Sequence, residues 1–521
     1  MKKSFIGILV LVLALGMTVV SCKDTKTAKT ASSANAVITI NAGTKYQYVR
    51  GFGGMGDITW THRWNIQDID TMFNPDKLGL NIMRIMIHPL SGSQTHAQLL
   101  NSSYGNGVLV AAVKKVNEVG GYVLATPWSP PAAWKSNNST NGSVKNTDGT
   151  NGYLLSNHYQ DYANYLKDFC IEMNNRGAPI YAVSIQNEPN FSPDYDACVW
   201  TPENMRDFFK QVGRFTAGAP GYGGGTALSS VRTMTGETEH TLEMHRATMK
   251  DSAALANIDL FGRHLYGWRV YSRFQNMNGK EMWMTEMNIN SGNSKTNDDR
   301  NFLNDSKWDY VWLFMNNVDL SIRMNHENAY IWWYSKRFYS MIGDGTEGTT
   351  SGAILPRGHG LSHYAKFAKE TNRVDVTVTG TTGTGSAIVT TGNNANVNPV
   401  GNPTLTDLIL HGGNNDWKAP YDQEPGSPYQ RAVKITAFES PDGNSISLVM
   451  YTPTQRDGTG GIDMGTIKIQ LPPGFVIGSA TAMRSTSAAQ SQPETVTIGE
   501  DMNSAYINLP ASNILSVRFT K

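Results

Sequence analysis

Cysteine is scarce. Only Cys22, Cys170 and Cys198 occur in 521 residues. That excludes a disulfide-stapled scaffold, and no Cys/His set has zinc spacing. His359 and His363 stand four apart without an evident third ligand, so they read as surface or core histidines. No metal site is expected. An excess of charge of one sign is also lacking. Lys and Arg number 44 against 43 Asp and Glu, for a net charge of +1 and only 17% charged residues. A nucleic-acid binder normally carries a basic stripe, so that class is set aside. A phosphate loop is missing too. Gly51-Phe52-Gly53-Gly54-Met55-Gly56 satisfies G-x-G-x-x-G. The helix and the acid-terminated second strand of a dinucleotide fold do not follow it, however. We read these glycines as a tight turn at the entrance to a barrel.

Glycine (50 residues) and aromatics (10%, with 12 Trp) are plentiful. Flat rings cover the apolar faces of sugars, but they also fill large cores, and composition alone favours the core. The length suits one large domain plus a smaller one. Lys2 and Lys3 precede an apolar run, Phe5–Val20, too short for a comfortable membrane span and flanked as a signal peptide is. It ends Val19-Val20-Ser21-Cys22, which resembles a bacterial lipobox. Residues 1–21 are therefore expected to be a signal peptide. Cys22 is expected to be the lipidated first residue of the exported chain, and 22–35 a polar tether. Lys23-Asp24 resembles a surface-export signal of Gram-negative lipoproteins. The expected location is the outer membrane or cell surface of such a bacterium, otherwise the medium, with the lipid as the sole membrane contact. Cys170 and Cys198 either pair or lie apart as small buried residues.

From Val49 to Trp333 short β-like runs alternate with helical stretches, the pattern of βα units. Eight candidate strands are Tyr48–Gly51, Asn81–Ile87, Tyr122–Thr126, Ile180–Gln186, Ser230–Thr235, Ile258–His264, Glu281–Thr285 and Ala329–Trp333. Tyr162, Tyr165, Leu166 and Phe169 keep helical spacing within Tyr159–Met173. Eight units predict an α/β fold, a closed (β/α)8 TIM barrel over 48–370. Beyond Lys369 short strands separated by Gly, Asn, Pro and Asp turns predict an attached β-sandwich side domain of 371–521. Ala36–Ile40 reads as a strand that crosses over to it, giving 36–47 to the same domain. Gly380–Pro428 reads as long surface loops.

In a barrel, chemistry gathers at the C-terminal ends of the strands. Strand four runs into Asn187-Glu188-Pro189 and strand seven into Glu286. Strand two carries Arg84 and ends at His88. Strand three ends at Thr126-Pro127-Trp128, strand six at His264-Leu265-Tyr266, and strand eight at Trp332-Trp333-Tyr334. Glycosidic cleavage needs a protonated acid at the leaving oxygen and an ionised carboxylate at the sugar carbon. Glutamates on strands four and seven face each other across a barrel mouth. A pocket lined by aromatics raises one carboxyl's pKa, while an arginine such as Arg84 keeps the other ionised. Asn187 can donate to a sugar hydroxyl, and Tyr266 can hold the nucleophile. Glu188 is thus the expected general acid/base and Glu286 the expected nucleophile. Two carboxylates suffice, so no cofactor is expected.

These stretches resemble glycoside hydrolase family 30. They are Arg50-Gly51-Phe52-Gly53-Gly54, Trp128 to Trp134, Val183 to Pro189, His264-Leu265-Tyr266-Gly267 and Met282 to Glu286. The resemblance spans Ala36 to Lys521. Trp332 to Tyr339 is similar to the bacterial glucuronoxylanase subfamily (subfamily 8). There the positions of Trp333, Arg337 and Tyr339 hold the glucuronic acid branch of xylan. An arginine pairs with a uronate carboxylate bidentately, which makes the assignment chemically sensible. Ser291 matches a branch-contacting serine, while Asn288 replaces a customary tyrosine. The resemblance thus implies a retaining endo-β-1,4-xylanase acting on plant glucuronoxylan as a monomer. Its substrate contacts would be Arg84, Trp128, Trp134, Asn187, His264, Tyr266, Ser291, Trp333, Arg337 and Tyr339. Another family-30 activity (β-1,6-glucanase, β-glucosidase or unbranched-xylan cleaver) is the alternative. A silent polysaccharide-binding lipoprotein would have no reason to keep both glutamates.

Overall fold

A computed structural model describes residues 34–56, 64–101, 108–239, 242–266, 279–289, 307–380, 389–391, 432–454 and 461–521. Cys22, Ser291 and most of 380–428 lie outside them, as do residues 1–33. No described helix is long and apolar enough to cross a membrane.

Eight parallel strands close into the predicted barrel. In chain order they are Gly51–Met55, Ile82–Ile87, Tyr122–Pro127, Ala182–Ser184, Arg232–Thr238, Leu260–His264, Glu281–Glu286 and Ala329–Trp332. Parallel strands buried on both faces read as near-continuous apolar runs, as Ile82–Ile87 does. The barrel's lower interior is packed with Tyr122, Leu124, Tyr181, Met234, Trp283 and Ile331 among others. The Tyr181 and Trp283 rings stack there with centroids 5.7 Å apart. Below them Arg50 pairs with Glu281 at 2.5 Å. Met55, Met86, Trp128 and Trp333 form a separate apolar cluster near the opposite mouth.

The first strand corrects the sequence reading. It is Gly51–Met55 rather than Tyr48–Gly51, and the glycines are strand rather than turn. Close packing explains them. A Cβ on Gly53 would stand 1.7 Å from the Ile82 carbonyl oxygen, and one on Gly54 would stand 2.1 Å from Ser335 Oγ. Only a residue without a side chain lets the neighbouring strands approach this closely.

Tyr48 instead belongs to the preceding strand, Ala36–Val49, which does cross over as expected. It pairs antiparallel with Thr371–Gly380 and parallel with Gly465–Gln470. The side domain is one curled sheet of eleven strands among the described residues, ten along one hydrogen-bonded path and the short Val389–Thr391 paired off it to Val433–Glu439. One face encloses a core of Ile38, Val376, Ile435, Leu448, Ile469 and Phe519, among others. The other packs on the barrel, where Val449, Tyr451 and Ile514 join Trp312 and Tyr364 in one cluster. Neither His359 nor His363 is part of a metal cluster among the described residues. They lie in the helix Pro356–Phe367, and His363 bonds Ser485 and Ser516 of the side sheet at 2.9 Å each. Cys170 and Cys198 are buried free thiols.

The helix Tyr159–Asn175 does more than cover the barrel. Its buried residues, including Tyr162, Tyr165, Leu166 and Phe169, follow the predicted spacing. The Tyr162 hydroxyl donates to the Ile185 carbonyl at 2.8 Å, and that of Tyr165 to the His88 carbonyl at 2.7 Å. One helix thereby fixes the ends of strands four and two.

Candidate active site

The upper ends of strands three, four and five are tied together beyond their regular ladders. Asn187 N–H donates to the Pro127 carbonyl at 2.8 Å, Glu237 N–H to the Gln186 carbonyl at 2.8 Å, and Glu188 N–H to the Glu237 carbonyl at 2.9 Å. The Gln186 amide donates to the Trp128 carbonyl at 2.6 Å. Within this frame Glu188 sits at φ 43°, a left-handed conformation that a side-chain-bearing residue holds only when its surroundings impose it. Its carboxyl lines the cleft.

Glu286, at the end of strand seven, accepts from Arg84 Nη1 at 2.6 Å and from the Tyr266 hydroxyl at 2.8 Å. The second Arg84 amino group donates to Asn187 Oδ1 at 2.6 Å, and its guanidinium lies 4.8 Å from the Trp128 ring centroid. His264 Nδ1 faces Glu188 Oε1 at 3.0 Å. One ligating atom each of Glu188, His264 and Glu286 lie within 4.8 Å of one another. That spacing would admit a cation by distance alone. The Arg84 guanidinium already holds Glu286, however, and its charge opposes a second cation there.

Burial and the neighbouring charges shift three of these groups from their ordinary values. Burial is the main influence on Glu188 and raises its pKa, aided by Glu286 and Glu239, while the bond from His264 pulls the other way. Burial alone would depress His264. Glu286, Glu188 and Glu237 outweigh it and lift the imidazole to about 9. Burial alone would raise Glu237, yet Arg84, His264 and Thr285 hold it down at about 2. Arg84 and a protonated His264 thus stand against an ionised Glu237 beneath the cleft. Burial favours the proton-bearing form of Glu188.

The cleft above this cluster has a volume of about 600 Å³. Trp128, Asn187, Glu188, Tyr266, Glu286 and Trp333 line it, all expected from the sequence, together with Asn288. Phe191, Tyr195, Glu239 and Tyr334 line it as well and were not singled out. Arg84 and His264 lie wholly buried beneath. Three expected contacts stand apart from the lining. Trp134 is partly buried and stacks on His158 with centroids 6.1 Å apart. Tyr339 is buried against Phe338. Arg337, in the loop after strand eight, pairs with Asp344 at 3.4 Å.

Sequence reasoning also missed Glu237. The fifth strand was ended at Thr235, whereas it continues through Thr238. Gly236 hid the continuation, because a glycine breaks the apolar pattern. Its role is again close approach: a Cβ there would stand 2.9 Å from the Met205 methyl carbon and 3.0 Å from Pro189 Cγ. The signal that marks Glu237 is the one that marks strands four and seven, an acid near the strand's C-terminal end.

A closed parallel barrel with an aromatic cleft over two opposed carboxyls is an arrangement suited to glycosidic cleavage. Residues 107–219 match the glycosyl hydrolase family 30 TIM-barrel domain. The chain is 28% identical over 340 residues to glucuronoxylanase XynC of Bacillus subtilis, covering 64% of this chain and 70% of that one. Its fold is shared with the family 30 subfamily 8 xylanase Xyn30A of Clostridium acetobutylicum. That likeness has a TM-score of 0.66 and 22% identity over 93% of this chain and all of the other. A family 30 endoxylanase from Clostridium papyrosolvens gives 0.64 and 22% over the same shares. The chain is a glycoside hydrolase, and its barrel shares the fold of these xylanases.

Proposed function

We propose that the chain is a retaining endo-β-1,4-xylanase acting on glucuronoxylan, with Glu188 as acid/base and Glu286 as nucleophile. The observation that carries the mechanism is the approach of the two carboxyls to within 4.8 Å, oxygen to oxygen. Retaining enzymes hold their pair about 5–5.5 Å apart, and inverting ones about 6.5–9.5 Å, leaving room for a water. Glu188 gives its proton to the departing glycosidic oxygen while a Glu286 oxygen attacks the anomeric carbon. Glu188 then takes a proton from the water that releases the sugar. Arg84 and Tyr266 hold Glu286 in place through hydrogen bonds, and Asn187 remains within reach of a sugar hydroxyl. The named activities of the relatives support xylan as the polymer.

Branch recognition rests on Trp333, Arg337, Tyr339 and Ser291. Trp333 lines the cleft, whereas Arg337 is not among the lining residues and its charge is engaged by Asp344. That engagement, away from the cleft lining, favours a second reading: a family 30 xylanase that needs no uronate. Reducing-end release from glucuronoxylan and from arabinoxylan distinguishes them. Under the first reading glucuronoxylan is cut much faster, and Arg337→Ala removes the difference. Equal rates on both polymers in the native protein overturn branch dependence. We further propose export with a lipid on Cys22, tested by mass spectrometry of the amino-terminal peptide. An unmodified Cys22 in the membrane fraction would count against it.

A further inference from the structure

Strand five ends in an acid that the double-displacement steps do not use. Glu237 is wholly buried and contributes no atom to the cleft lining. The Thr126 hydroxyl donates to its Oε1 at 2.7 Å, and Oε2 lies 3.1 Å from Arg84 Nε. His264 Nε2 points between Glu237 and Glu286, 3.9 Å from an oxygen of each. The charged and titratable groups facing it are therefore Arg84 from strand two, His264 from strand six and Glu286 from strand seven. Glu188 lies beyond His264. Thr126 and Thr285 are its neutral partners.

A guanidinium offers five N–H donors in a fixed plane. Here one amino group serves Glu286 and the other Asn187, both of which meet the substrate. The plane is set only if the Nε edge is also held, and Glu237 with Thr126 holds it. The charge matters as well. Without Glu237, buried Arg84 and a protonated His264 would face Glu286 alone, and the surplus positive charge would draw protons off the cluster.

We propose that Glu237 is a positioning residue for hydrolysis. Its carboxylate locks Arg84 between Glu286 and Asn187 and offsets the positive charge that Arg84 and His264 bring beneath Glu188. This rests on the two-glutamate mechanism above. It concerns a residue that never touches sugar, so it predicts a loss in kcat rather than in KM.

The test uses the full mature chain with glucuronoxylan as substrate. Glu237→Gln keeps shape and removes charge. We expect kcat to fall by about tenfold or more, with KM within about twofold, as for lost orienting partners elsewhere. The alkaline limb of the kcat/KM profile should move to lower pH, because one negative charge fewer makes every proton in the cluster easier to lose. Glu237→Asp keeps the charge and should restore the limb and part of kcat. If the Gln variant does not fold, Thr126→Val, which frees Glu237 without discharging it, should lower kcat at constant KM. Native kcat and an unmoved limb in Glu237→Gln overturn the proposal. So does native kcat in Thr126→Val where the Gln variant fails to fold. Glu286→Gln run alongside separates the two ideas. If that variant stays active, the two-glutamate mechanism is wrong, whatever Glu237 does.

Discussion

At the scale of the residue, Glu188 is placed by backbone and tuned by burial. Replacing it with Gln should reduce kcat by about 10²–10⁴-fold, the usual weight of general acid catalysis. Aryl glycosides with an acidic leaving group should lose much less in the first step, because they leave without help from a proton. Equal losses on both substrates would contradict the acid role. The same cluster sets a pH dependence of stability. His264 is lifted from 6.5 to about 9, so its contribution is full below pH 6.5 and disappears as pH rises through 9. Glu237 is lowered from 4.5 to about 2, so its contribution is full above pH 4.5 and disappears as pH falls through 2. Thermal midpoints measured from pH 2 to 10 should therefore be highest between about 4.5 and 6.5 for this cluster. His264→Gln should flatten the alkaline fall. An unchanged alkaline slope in that variant would show that the imidazole is neutral in the native protein.

At the scale of the element, small contacts decide where strand ends point. Tyr162→Phe removes the donor to the Ile185 carbonyl and leaves that oxygen buried and unpaired. The expected cost is about 1–3 kcal/mol in urea unfolding, with a loss of activity as strand four loosens. Unchanged stability would mean that another donor reaches the carbonyl. Gly53→Ala should be far more damaging, since its new carbon would overlap strand two's backbone, which cannot rotate aside. Soluble, folded Gly53→Ala protein would contradict that packing. The two elements also differ in legibility. The helix Tyr159–Asn175 announced itself because its buried face repeats every three or four residues. The first strand did not, because glycines have no side chains to alternate. The end of strand five was lost at Gly236 for the same reason.

At the scale of the whole molecule, barrel and side sheet share a core. Trp312 and Tyr451 stack with centroids 6.3 Å apart, and the Tyr451 hydroxyl donates to Asn316 at 3.1 Å. The strand that begins the described chain is itself the middle of the side sheet. Calorimetry should therefore give one cooperative unfolding transition. A chain ending near residue 370 should lose solubility, because it exposes the apolar side of the helix Pro356–Phe367. Two separated transitions would indicate that the shared cluster contributes little to cooperativity.

The sequence by itself determined the βα alternation, the crossover of the leading strand, and the two glutamates at the ends of strands four and seven. Each of these is carried by local pattern: side-chain period, turn residues, and an acid following an apolar run. Tertiary structure alone decided that strand one is made of glycines, that Glu237 completes the charge set beneath the cleft, and that Arg337 turns to Asp344. Those outcomes depend on what stands opposite in space. A missing side chain and a buried counter-charge are chosen by residues tens or hundreds of positions away, and the partner of Arg337, though only seven positions on, is set by how the intervening loop folds back.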